Sequence, residues 1–151
     1  GVLLLVGEGS QSTSLHQFAQ QLAVRDRIHF VPWQANIGSF IAACDLLVVP
    51  SRWEGLSNVL LEAMACQKAV VASDVEGTQQ LLGTEAAPQV VPAEDPQELA
   101  RCVCALMSDT PTRLRLGKEN RNRVLDQFTV ARMIEWYSAL YREILASFGS
   151  G

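Results

Sequence analysis

The sequence predicts an α/β domain: a parallel sheet with helices on both faces, followed by a C-terminal helical extension. Three observations carry this. Short, continuous apolar runs alternate with segments of helical spacing, the pattern of strands buried on both faces and joined by helical crossovers. The 151 residues suffice for one domain with a hydrophobic core, and 48% apolar against 19% charged residues is a globular balance. Beyond Asp95 the strand patterns stop and helical patterns follow in succession.

Residues 2–6 are the first strand, stopped by Gly7-Glu8-Gly9-Ser10. In residues 13–24, Leu15, Phe18, Ala19, Leu22 and Ala23 recur at helical spacing. Residues 28–31 are a short strand ended by Pro32, residues 37–43 a short helix, and residues 45–50 a buried strand. A loop at 51–57 leads to a helix at 58–67 and a strand at 69–72. Residues 74–77 turn into a short helix at 78–82, and 89–91 is the last short strand. Asp95-Pro96-Gln97-Glu98 is a strong helix start: the aspartate can cap, proline suits the first helical position, and the glutamate sits in the first turn. Helices of about 12, 15 and 18 residues then run to the end. In the last of them Met133, Trp136, Tyr137, Leu140, Tyr141 and Ile144 form a wide apolar stripe.

A net charge of −4 argues against a general nucleic-acid binder, and a ligand phosphate must be held by local features. The four cysteines, Cys44, Cys66, Cys102 and Cys104, contain no CxxC pair and lie far in sequence from His16 and His29. They read as small buried apolar residues of a reducing compartment, not as zinc ligands. The opening apolar run lacks a basic leader and is too short to span a bilayer. A chain that opens on a core strand reads as a fragment.

Parallel sheets bind ligands outside the carboxyl ends of their strands, which directs attention to residues 7–12, 31–33, 51–57 and 73–77. The richest stretch is Pro50-Ser-Arg-Trp-Glu54-Gly-Leu-Ser-Asn-Val-Leu-Leu-Glu62-Ala-Met-Ala. Ser57 suits the N-cap, and the backbone N–H groups of the first helical turn, around Leu56 to Leu60, form an anion site aided by the helix dipole. Gly55 lets a ligand approach the backbone. Glu54 and Glu62 bracket the site, and Asn58 and Glu62 share a helix face while Leu60 and Met64 turn to the core. A carboxylate is an acceptor-only group that takes two hydroxyl hydrogens, so the vicinal hydroxyls of a ribose or hexose suit it. Spacing alone leaves a plainer reading open, in which Glu54 is a solvated loop charge and Glu62 offsets the helix dipole. Trp53 either stacks on a sugar or base or packs the loop. Gly7-Glu8-Gly9 has the setting of a phosphate-binding turn, but the third glycine and the ribose-binding acid of a dinucleotide fingerprint are missing, so a plain tight turn fits equally. His29 reads as structural. No DxD or G-x-S-x-G motif is present, which disfavours metal-dependent transfer within this chain.

The run from Ala43 through Pro50-Ser-Arg-Trp-Glu54-Gly to Glu62-Ala-Met-Ala65 resembles the retaining glycosyltransferases of family 4, also called group 1. Their signature holds two glutamates separated by seven residues, matched here by Glu54 and Glu62. Val6-Gly-Glu-Gly9, His29-Phe-Val31 and Val70-Val-Ala-Ser-Asp74-Val-Glu-Gly77 agree. The resemblance implies the C-terminal, donor-binding half of a GT-B enzyme, in which two Rossmann-like domains face across a cleft. Residues 1–151 are then expected to be one nucleotide-sugar-binding domain, with the first strand and the acceptor domain upstream. By resemblance, Glu54 contacts the transferred sugar at the reaction centre and Glu62 takes the ribose hydroxyls. Gly55, Leu56 and Ser57 meet the sugar or diphosphate, with Asn58 beside them. Gly7 and Gly9 line the phosphate side, Phe30 and Val31 touch the base through main chain, and the C-terminal helices cover the sheet and cross back to the other domain.

Three departures stand out. The basic pair that neutralises the diphosphate lies upstream of residue 1, the usual G-x-P reads Gln67-Lys68-Ala69, and the G-G-x-x-E loop ends in Gln80. The resemblance implies transfer of a sugar from a nucleoside diphosphate to an acceptor hydroxyl, with no metal and no cofactor, and an isolated chain that binds weakly without turnover. The implied location is cytoplasmic, with the inner face of the membrane as alternative, and any membrane contact belongs to the full-length protein. Other readings in play are a same-fold epimerase or phosphorylase, a dinucleotide-binding domain, and a degenerate binding module.

Overall fold

The structure is a computed structural model that describes residues 1–83 and 86–148. The chain divides into two compact units, Gly1–Ile37 and Gly38–Gly151. In the first, β1 (Leu3–Val6) pairs in parallel with β2 (Ile28–Val31), joined by α1 (Ser12–Gln20) and a turn of 3₁₀ helix at Arg25–Arg27. Leu3 and Leu4 are exposed, and Ala19 is the one buried residue of this unit. The expected core strand is thus only half-covered, because two strands and one short helix have too little surface to close over it.

The second unit holds α2 (Gly38–Ala43), β3 (Leu46–Val49), α3 (Asn58–Ala65), β4 (Ala69–Ser73), α4 (Thr78–Leu82), β5 (Val90–Val91), α5 (Pro96–Ser108), α6 (Thr110–Gln127) and α7 (Val130–Phe148). Its sheet has the order β3-β4-β5, all parallel. Central β4 is buried at every residue. Ala69 and Val71 join Val91, Cys102, Leu106 and Leu116 in one cluster, with helices α5 and α6. Strand alternation turns Val70 and Ala72 to the opposite face. Helix α3 also packs on β4, with Leu60, Ala63 and Met64 inside. Strand β3, expected to be buried, is half-buried throughout because it is an edge of this sheet.

Two close approaches fix α6. Gly117 lies against the Gln67 carbonyl, where a Cβ would collide, and Gln67 itself turns the chain with φ 60. Asn120 and Gln89, 3% and 2% exposed, form a reciprocal amide pair. Asn120 Nδ2 donates to Gln89 Oε1 at 2.8 Å and Gln89 Nε2 donates to Asn120 Oδ1 at 3.1 Å. The pair also ties down β4: Val70 N–H donates to Gln89 Oε1 at 3.1 Å, and Asn120 Nδ2 donates to the Lys68 carbonyl at 2.9 Å.

Asp95 caps α5 as expected, accepting from the amides of Gln97 and Glu98 at 3.1 and 2.9 Å. Two expectations hold only in part: Cys102 is buried, and α5 and α6 cover the sheet, but the rest differs. Of the cysteines only Cys102 is buried; Cys44 and Cys66 are half-buried and Cys104 is exposed, because α5 turns Cys104 away from the face that Cys102 buries. Helix α7 does not cover the sheet. It buries no residue, since α3, α5 and α6 already pack on β4, and Met133, Trp136, Tyr137, Leu140, Tyr141 and Ile144 are all exposed.

Two stability predictions follow from these contacts. Asn120→Leu leaves the Gln89 amide and the Lys68 carbonyl without their partner and should cost about 2–4 kcal/mol in urea unfolding. The Gln89→Leu/Asn120→Leu double variant should cost less than the two single losses together. At the N-cap of α6, the Thr112 amide donates to Asp109 Oδ1 at 3.0 Å, and this bond holds the Asp109 carboxyl below its ordinary value. The stabilisation is complete above the unfolded carboxyl value, near about pH 3.9, and fades as pH falls through the lower folded value. Asp109→Asn keeps an acceptor that does not titrate, so its urea midpoint should fall less steeply on acidification than that of the native chain.

Candidate functional site

In the unit Gly38–Gly151 the chain leaves β3 at Pro50 and reaches α3 through a short loop. Glu54, at the middle of that loop, is half-buried, and its Oε2 accepts a hydrogen bond from Ser51 Oγ at 2.8 Å. Arg52 pairs with Glu94 at 3.1 Å, an exposed pair of small worth. The Gly55 carbonyl sits against Gly77, whose φ of +84 and lack of a Cβ are both required there. The loop after β3 and the turn after β4 are thereby held together. Asp74, at the start of that turn, accepts from Gln79 Nε2 on both oxygens, at 2.9 and 3.0 Å.

Between these segments lies a cleft of about 500 Å³. One wall is Arg52, Trp53, Glu54 and Gly55; the other is Asp74, Val75 and Glu76, with Ala93 from beyond β5. The Trp53 indole is 82% exposed, so it does not pack the loop. The lining holds three carboxylates and one guanidinium, and the guanidinium is already paired with Glu94. Such walls accept hydroxyl protons and repel phosphate, which suits a neutral polyol.

The α3 N-terminus has a different character. Ser57 occupies the predicted N-cap with extended backbone (φ −76, ψ 111), but its side chain makes no cap hydrogen bond. The serine is 3% exposed, and its Oγ has no partner among the described residues. The sequence thus located both the helix start and the N-cap residue, while the side-chain cap bond is absent. Leu56 is 51% exposed, and Asn58 and Glu62 are exposed on α3, one turn apart. None of Leu56, Ser57, Asn58 and Glu62 lines the cleft.

In the unit Gly1–Ile37, Gly7, Gly9 and Phe30 share a smaller cleft of about 250 Å³ with Leu5, Val6, Glu8, Gln11, Ser12 and Leu15. A Cβ at Gly7 or Gly9 would meet nothing within 4 Å, so neither glycine serves packing, although Gly7 has φ +132. The Gly7 amide donates to the Val31 carbonyl at 3.0 Å, and Val31 does not line this cleft. The His16 ring stacks on Phe30 with centroids 3.7 Å apart. Glu8 Oε1 accepts from the Trp33 amide at 3.4 Å, which turns its charge to the loop.

Sequence reasoning singled out the strand-end segment 73–77 without choosing Asp74 or Glu76 from it. It did not consider Ala93, although the same strand-end rule applied to β5 reaches that residue. Ser51 and Gly77 were missed as contacts of the glutamate loop. A serine three residues before a glutamate in a tight loop was the available signal for the first, and the second depends on a long-range approach that no spacing reveals.

The family model "Glycosyl transferases group 1" matches residues 2–109. Among curated proteins, the lipopolysaccharide core biosynthesis glycosyltransferase LpsE of Rhizobium meliloti (strain 1021) is 31% identical over 91% of this chain and 41% of its own length. Among solved structures, Anabaena Alr3699/HepE in complex with UDP superposes with a TM-score of 0.85 at 26% identity, over 94% of this chain and 41% of that one. The same protein is known with UDP-glucose. Sucrose-phosphate synthase from Thermosynechococcus elongatus gives a TM-score of 0.83 at 31% identity, over 97% of this chain and 39% of that one. The chain therefore spans about two fifths of the length of these relatives. The match includes the whole of the loop and helix that carry Glu54 and Glu62, and with it the chain belongs to the group 1 glycosyltransferases and has the fold of the C-terminal half of its GT-B neighbours.

Proposed function

We propose that this chain holds the nucleotide-sugar donor of a retaining, metal-independent glycosyltransferase. The observation that carries the reading is the carboxylate-walled cleft at the carboxyl ends of β3 and β4, directly before the N-terminus of α3. In this reading the sugar lies in the cleft, against Glu54 and Gly55 and over the Trp53 indole. The diphosphate lies at the first-turn amides of α3, near Leu56, Ser57 and Asn58, where the helix dipole favours negative charge. Glu62, exposed on the same helix, accepts the ribose hydroxyls. The roles of Gly7 and Gly9 toward phosphate and of Phe30 and Val31 toward the base rest on the family resemblance alone. The binding of UDP and UDP-glucose by the Anabaena neighbour supports a nucleoside diphosphate sugar as the ligand class.

In the whole protein the sugar passes to an acceptor hydroxyl through an oxocarbenium-like transition state. Helix amides stabilise the departing diphosphate, a role that elsewhere falls to a metal, and Glu54 places negative charge beside the positive sugar carbon. The acceptor is held by the remainder of a longer polypeptide. The chain alone then binds donor without turning it over.

NMR titration of this chain with UDP, GDP, ADP and NADH tests the reading. Shifts should cluster at residues 7–9, 30–33 and 54–62 for one of the nucleoside diphosphates and weaken in Glu62→Ala. No shifts with any of them at millimolar concentration would mean that the upstream basic pair is indispensable or that the site is degenerate, which the same titration of the full-length protein decides, and clustered shifts with NADH alone would support dinucleotide binding instead. In the full-length protein, Glu62→Ala should raise the donor KM by about one to two orders of magnitude, as expected for loss of a charged hydrogen bond. Glu54→Ala should lower kcat by about a hundredfold or more.

A further inference from the structure

We infer that Ser51 is a positioning residue for Glu54, and that its hydroxyl fixes which carboxylate oxygen faces the sugar. The inference rests on the donor-site reading above. Ser51 Oγ donates to Glu54 Oε2 at 2.8 Å in a partly buried setting. The other oxygen, Oε1, has no donor among the described residues. One oxygen is therefore bound by the protein and the other is left for the ligand. Both ends of the segment are anchored: Ser51 follows Pro50 at the end of β3, and Gly55 is seated against Gly77. With the backbone fixed, the freedom that remains lies in the glutamate torsions, and the hydroxyl restrains those.

The choice of a neutral donor matters. The cation next along the chain, Arg52, is engaged with Glu94 and leaves Glu54 alone. A guanidinium would orient the carboxylate equally well, but it would also cancel the negative charge that a developing oxocarbenium ion needs nearby. Serine orients without neutralising. Ser51 thus acts through Glu54 and touches no substrate atom itself.

Ser51→Ala, Ser51→Thr and Ser51→Val in the full-length protein separate hydroxyl from shape, because threonine and valine have nearly the same volume and differ in the hydroxyl. Ala and Val should lower kcat by about tenfold or more while donor KM stays within about threefold of the native value, and Thr should restore most of the rate. Thermal melting of all three should match the native protein. A valine variant as active as the threonine variant overturns the inference, as does an alanine variant with native kcat or a loss confined to KM. Should valine not fold, the alanine–threonine comparison decides. Glu54→Ala measured alongside keeps the two levels apart: native kcat in that variant removes Glu54 from the chemistry and defeats the donor-site reading, whereas slow Glu54→Ala with hydroxyl-independent Ser51 variants defeats only the role of Ser51.

Discussion

The burial of β4 is the constraint on which the larger unit depends. A central strand with helices packed on it must be apolar at successive positions, and Ala69, Val70, Val71 and Ala72 meet that demand with small side chains. Small residues bring the flanking helices close, and close helices need glycine where backbones meet. Gly117 supplies this where α6 crosses the Gln67 turn. The price of a dry strand is that its polar neighbours must be satisfied internally, and the Gln89–Asn120 pair does so while tying α6 to β4.

The candidate site inherits its rigidity from that strand. The turn that follows β4 leads to Gly77, and Gly77 lies against the Gly55 carbonyl, so the glutamate loop is braced against an element that cannot shift without opening the core. Such bracing holds a half-buried charged group at the cleft with little backbone freedom, because the loop is fixed from behind. The electrostatics divide the work in space. Carboxylate walls suit the hydroxylated part of a ligand, and uncapped helix amides suit the anionic part. A nucleotide sugar carries both characters on one molecule.

Much of this was legible in the sequence because periodicity and turn chemistry are local. The order and type of the elements, the start of α3 at Asn58, the limits of α4 at Thr78–Leu82 and the Asp95 cap all follow from neighbouring residues. What spacing cannot tell is what lies over a face. Leu3 and Leu4 have the composition of a core strand yet stay exposed, and Cys104 has the chemistry of a core residue on the wrong side of α5. Ser57 shows the same limit at the scale of one hydroxyl: it stands at the N-cap, yet its Oγ makes no cap bond. The approach of Gly77 to Gly55 joins residues more than twenty positions apart, and no local signal encodes it.

Helix α7 carries a thermodynamic consequence for this chain. None of its 19 residues is fully buried, so less of its stability comes from tertiary packing than in α3, α5 and α6. Such a helix opens by fraying, independently of the global transition. Amide exchange along Val130–Phe148 accordingly reports a helix–coil equilibrium, whereas exchange in β4 reports the unfolding of the unit. Exchange in α7 and exchange in β4 thus follow different events within the same unit.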